Sequence, residues 1–98
     1  MEVLKYSLPA TQKINRRAHV GVVGSGDLEI ILEPHEEVVT EVTVRTGVNG
    51  FKGTWDAVVE RFFSENDIAA KVIINDFGAT PGVVKIRLSQ ALEVTLND

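Results

Sequence analysis

Apolar and polar positions alternate through Leu28-Glu29-Ile30-Ile31-Leu32-Glu33, with Leu28, Ile30 and Leu32 on one side and Glu29 and Glu33 on the other. A period of two marks a strand with one buried face. Residues 18 to 23 are rich in valine, and Val20 and Val22 share a face in the same way. Between these runs stand Gly24-Ser25-Gly26-Asp27, all turn formers. Glycine takes positive φ without a Cβ clash, and an Asp side chain bonds nearby amides. Two strand-like runs joined this way predict a β-hairpin. Pro34-His35-Glu36-Glu37 predicts a second turn, and the β-branched run over 38–45 a further strand. Val3 to Ser7 suits a short opening strand, and Pro9 rules out an early helix.

The period then changes. After a loop holding Gly47, Gly50 and Gly53, the residues Trp55, Val58, Val59, Phe62 and Phe63 recur at helical spacing. They predict a helix capped by Thr54 and running to about Asn66. Ala69 to Ile74 predict another strand, and Asp76-Phe77-Gly78-Ala79 a turn. Thr80 followed by Pro81 reads as a cap with proline in the first helical position. Val84, Leu88 and Leu92, joined by Ala91, line the inner side of that last helix. The order βββαβα predicts an α+β fold: a small sheet of about four strands with two helices on one face. Residues 1–98 are expected to form one domain.

Composition narrows the chemistry. The formal charge is −4 over 98 residues, which argues against a nucleic-acid partner. The chain has no cysteine, so disulfides, thiolate catalysis and Cys-based zinc sites are excluded. No apolar run approaches the ~20 residues that cross a bilayer as a helix. The N-terminal residues lack a secretory layout, and the expected location is the cytoplasm.

Ser25, between Gly24 and Gly26 and beside Asp27, is the most informative hydroxyl. A nucleophilic serine needs a base within hydrogen-bond reach. The only imidazoles are His19, in the strand before the turn, and His35, in the acidic turn beyond the next strand. The segment Gly21-Val-Val-Gly24-Ser-Gly26 also fails as a dinucleotide turn. That motif needs a helix and a third glycine where this chain has a strand and Glu29. No Walker-type Gly-Lys-Ser/Thr is present. His35, Glu36 and Glu37 make a nonspecific metal candidate, since adjacent turn residues rarely converge on one ion. The stripe of Trp55, Phe62 and Phe63 reads as core. The acids Glu29, Glu33, Glu36, Glu37 and Glu41 read as a solvated face that can also meet basic partners. Lys13, Arg16 and Arg17 are candidates for a phosphate or an acidic neighbour. A hydroxyl on a loop tip is open to modification by another protein.

His19-Val-Gly-Val-Val-Gly-Ser25-Gly-Asp-Leu-Glu29, with the apolar strand after it and Glu33-Pro34, resembles the acyl-carrier (delta) subunit of biotin-independent malonate decarboxylase. The likeness extends to the glycine-rich loop before Trp55, to Asn75-Asp76-Phe77-Gly78-Ala79-Thr80-Pro81-Gly82 and to the last helix. It implies a carrier and no catalytic role. Ser25 would bear a phosphoribosyl-dephospho-coenzyme A group through a phosphodiester, with Gly24 and Gly26 giving access. Asp27 would orient the hydroxyl, help the attaching enzyme bind a metal ion, or simply bond turn amides. The group's thiol would hold acetyl, then malonyl, for conversion of malonate to acetate and carbon dioxide. The implied partners are the acyl-transferase (alpha) subunit, the decarboxylase (beta and gamma) subunits, a prosthetic-group transferase and a malonyl transferase. The rival readings are a docking or scaffold subunit without the group, and a minor enzyme using Ser25 as nucleophile.

Overall fold

A computed structural model describes residues 1–21 and 28–96. Its elements are β1 (Glu2–Pro9), β2 (Ala18–Val20), β3 (Leu28–Pro34), β4 (Val39–Thr46), α1 (Lys52–Glu65), β5 (Ala70–Asp76) and α2 (Pro81–Leu96). Among the described residues the strands form one sheet in the order β1-β4-β5-β3-β2. Only β4 and β5 run parallel, and α1 makes the crossover between them. The expected α+β class holds. The fifth strand is the opening segment, longer than its sequence suggested because it pairs with β4 from Glu2↔Thr46 to Pro9↔Val39.

Alternation along the strands decides the layering. Leu28, Ile30 and Leu32 of β3, Val42 and Val44 of β4, and Val72 and Ile74 of β5 are buried under the helices. Against them pack Trp55, Val59, Phe62 and Phe63 from α1 and Val84, Leu88 and Ala91 from α2. Full burial of each large side chain is worth roughly 1.5–3 kcal/mol. Phe62 and Phe63 meet edge to face at 5.0 Å. The opposite side of the sheet carries Glu41, Lys71, Glu29, Glu33 and His19, as the period of two requires. Tyr6 ties β1 to α1, its hydroxyl donating to Asp56 Oδ1 at 2.7 Å. Burial, then the bond to Asp56, holds its phenol far above the usual range.

Three details differ from expectation. Helix α1 begins at Lys52, and its N-cap is Phe51, which makes no side-chain capping bond. The Phe51 carbonyl already accepts the Trp55 N–H at 3.0 Å, so Thr54 lies within the first turn. In α2 the fourth buried position is Thr95, while Leu92 is only partly covered. Thr95 is tolerated because its hydroxyl donates to the Leu92 carbonyl at 2.7 Å. Strand β5 runs on to Asp76, past the expected end at Ile74, because Asn75 and Asp76 stay in register with β4. Thr80 does cap α2: its carbonyl takes the Val84 N–H at 3.1 Å and its hydroxyl the Val83 N–H at 3.4 Å.

Candidate functional site

The two arms of the expected hairpin, β2 and β3, pair antiparallel through Ala18↔Leu32, His19↔Ile31 and Val20↔Ile30. The residues of the turn itself, including Ser25, Gly24, Gly26 and Asp27, lie outside the described residues, as does Val22. What can be built is the foot from which the turn departs. Gly21 has φ of 80°, and a Cβ placed there would sit 2.1 Å from the Leu28 carbonyl oxygen. Only glycine lets the two arms approach so closely at that point. The same carbonyl accepts a hydrogen bond from Arg87 Nη1 of α2 at 3.0 Å. A guanidinium is therefore fixed where the chain re-enters the sheet.

Two of the three cations singled out from the sequence as candidates for a phosphate or an acidic neighbour, Lys13 and Arg17, make their contacts elsewhere. Lys13 donates to the Glu36 carbonyl at 2.7 Å, and Arg17 Nε lies 3.9 Å from Glu33 Oε1. Both contacts belong to the end of β3 remote from the turn. Arg87 went unnoticed because no motif surrounds it. It follows Val84 by three residues and so flanks the buried stripe of α2, the signal that it leans toward the sheet.

The two histidines separate. His19 Nε2 lies 2.9 Å from Glu29 Oε2, while Asn75 Nδ2 donates to Glu29 Oε1 at 2.8 Å. These bonds, the Asn75 one first, hold the Glu29 carboxyl below its ordinary range. His35 belongs to the turn after β3, where its Nδ1 accepts the Glu37 N–H at 3.0 Å and its Nε2 lies 3.2 Å from Glu41 Oε1. A strand of seven residues, roughly 20 Å, separates it from the hairpin's foot. Among the described residues no three His, Asp or Glu side chains gather as a metal site, so His35, Glu36 and Glu37 do not form one.

At the turn's end of the sheet a cleft of about 300 Å³ opens between the starts of the two helices. Val48 and Phe51 come from the loop after β4, Trp55 and Val58 from α1, Ala79 from the turn before α2 and Pro81 from the first position of α2. The glycine-rich loop and the Asn75–Gly82 segment, far apart in sequence, thus meet here. Asp76, 5% exposed, lies at the cleft's edge and is fully engaged. Its Oδ2 accepts the Thr46 hydroxyl at 2.8 Å, and its Oδ1 accepts the N–H groups of Gly78 at 3.0 Å and Ala79 at 2.8 Å. Sequence reading saw a turn-forming acid; that it also staples β4 to the turn depended on topology.

Comparison with known proteins agrees with this geometry. Residues 15–95 match the family of the malonate decarboxylase delta subunit (MdcD). The malonate decarboxylase acyl carrier protein of Azotobacter vinelandii is 49% identical over 98 residues, 99% of each chain. That of Pseudomonas fluorescens is 48% identical over 94 residues, 95% of each. A chain in the crystal structure of a Pseudomonas malonate decarboxylase hetero-tetramer in complex with malonate superposes with a TM-score of 0.89. The two share 46% identity, over 97% of this chain and 99% of that one.

Proposed function

The chain belongs to the malonate decarboxylase delta-subunit family, the acyl carrier subunits of that enzyme, and from this premise we propose that Ser25 anchors a phosphoribosyl-dephospho-coenzyme A group through a phosphodiester. The observation that carries the reading is the near full-length likeness to acyl carrier proteins, which spans the Ser25 turn and the described sheet alike. When bound, the group supplies a thiol for acetyl and malonyl thioesters, and the chain has no cysteine to compete with it.

The residues at the foot of the turn fit such a group. Arg87 holds a positive charge at Leu28, three residues along the chain from Ser25, and guanidinium groups pair well with phosphodiesters. Gly21 keeps the two arms tight where the chain leaves the sheet. Gly24 and Gly26 would give a prosthetic-group transferase access to the hydroxyl, while Asp27 would orient it, help that enzyme bind a metal ion or bond the turn amides. The chain's own work is anchorage and docking, with no catalytic step. Tethering gives the acyl group a high effective concentration at each partner without release into water. Those partners are the acyl-transferase (alpha) and decarboxylase (beta and gamma) subunits, and a malonyl transferase, in the cytoplasm.

Intact mass tests the reading. Coexpressed with its attachment enzymes, the chain gains the mass of the phosphoribosyl-dephospho-coenzyme A group, and Ser25→Ala gains nothing while keeping its circular dichroism spectrum. Added mass that persists in Ser25→Ala moves the anchor elsewhere. An unmodified wild-type chain within an active complex leaves a docking subunit instead.

A further inference from the structure

We propose that the cleft between the starts of α1 and α2 is a resting site for the acetyl-thioester end of the arm, and that it rejects the malonyl form. The inference rests on the reading of Ser25 as the anchor.

Position comes first. Asp76, at the cleft's edge, is the register partner of Leu28, where the chain returns from the Ser25 turn. Helix α2 joins the two places: Pro81 and Val84 line the cleft, and Arg87 touches the Leu28 carbonyl. Three residues of helix advance about 4.5 Å. The cleft and the foot of the turn therefore share one end of the sheet and one helix. An arm anchored on that turn starts from the same end of the sheet as this cleft.

Chemistry comes second. The walls are mainly apolar, with Val48, Phe51, Trp55 and Val58 among the residues that line them. The cleft's volume of about 300 Å³ lies at the small end of the range for ligand sites. Phe51 at its rim is 51% exposed, an aromatic surface that gains by being covered. Of the polar side chains that line it, Thr46 and Asp76 already bond one another and the backbone, and Thr54 adds one exposed hydroxyl. The cleft thus offers apolar contact to a neutral chain, while a carboxylate would find only the Thr54 hydroxyl among these side chains to set against the loss of its water. An acetyl thioester is neutral and ends in a methyl group. A malonyl thioester ends in a carboxylate, which would lose its water and face the Asp76 carboxylate. Acetyl is therefore sheltered from hydrolysis, while malonyl stays in solvent, ready for the next subunit.

Trp55 is the sole tryptophan of the chain and reports on its own wall of the cleft. The experiment compares the isolated chain in apo, acetyl-loaded and malonyl-loaded forms, each verified by intact mass. Acetyl loading is expected to move Trp55 emission to shorter wavelength and to shift the amide resonances of Val48, Gly78 and Ala79. Malonyl loading should leave both near their apo values. Ala79→Phe, which fills the cleft, should load to the same mass without these changes and lose its acetyl group to hydroxylamine several-fold faster. Val48→Phe at the exposed rim serves as the second filling variant should the first fold poorly. An acetyl-loaded chain whose Trp55 emission and cleft amides match the apo form overturns the inference and leaves the anchor standing. Equal responses to acetyl and malonyl overturn the rejection of malonyl. Absence of any mass gain at Ser25 overturns both the inference and the reading beneath it.

Discussion

Gly21 shows how one residue can fix the approach of two strands. With φ of 80° and the Leu28 carbonyl 2.1 Å from where its Cβ would be, the position admits no side chain. Gly21→Ala is expected to cost at least about 2 kcal/mol, read as a fall in the urea midpoint. The loss should come with slower loading at Ser25, because the foot of the turn must open to relieve the clash. From the sequence, Gly21 was one glycine among several near the turn. Its special role depends on the arrival of Leu28 and Arg87, which no local pattern encodes. Asp76 repeats the lesson. Its turn-forming tendency was readable, but its bond to Thr46, thirty residues earlier in the chain, was not.

Among the elements, the two helix starts make a controlled comparison. Thr80→Ala should destabilise the protein by about 0.5–1 kcal/mol, since the Val83 N–H loses its side-chain acceptor. Thr54→Ala should change stability by less than about 0.5 kcal/mol, because Thr54 caps nothing and stands exposed within the first turn of α1. Chemical denaturation of the two variants side by side checks both. A period of two made β3 legible and a period of 3.6 made both helices legible, because each buries one face. The start of α1 was misplaced because Thr54 has the right chemistry for a cap, while the backbone turns helical two residues earlier. Strand β1 was only half visible: Val3, Lys5 and Ser7 face away from the helices, and nothing in that stretch announces its pairing with β4.

At the scale of the molecule, acid should weaken the fold in a defined window. Glu29 is held low by Asn75 and then His19, Asp56 by Lys52 and then Tyr6, and Asp67 by Thr11. A depressed carboxylate takes up its proton more readily in the unfolded chain, so it favours the folded state at neutral pH. That contribution is intact above the ordinary values of 3.8 and 4.5 and disappears as pH falls through the lower folded values. Thermal midpoints should therefore be level from pH 7 to about pH 5 and fall steadily below pH 4. Glu29→Gln should flatten part of that decline. The sheet's order, in contrast, was beyond sequence reading. The hairpin could be seen, but not that β5 would insert between β3 and β4. The site was legible to the same extent: its turn was visible, while the cleft and Arg87 exist only once the chain is assembled.

The insertion of β5 has a consequence for synthesis. Among the described residues β2 and β3 pair at three positions, and an isolated two-stranded ribbon is only marginally stable in water. The long partner of β3 is β5, whose residues are translated some forty positions later. As the polypeptide leaves the ribosome, the hairpin has no platform until α1 and β5 have emerged and docked. If Ser25 is the anchor as proposed, an attaching enzyme that grips the paired arms will thus distinguish completed chains from nascent or truncated ones, and abortive products will go unloaded.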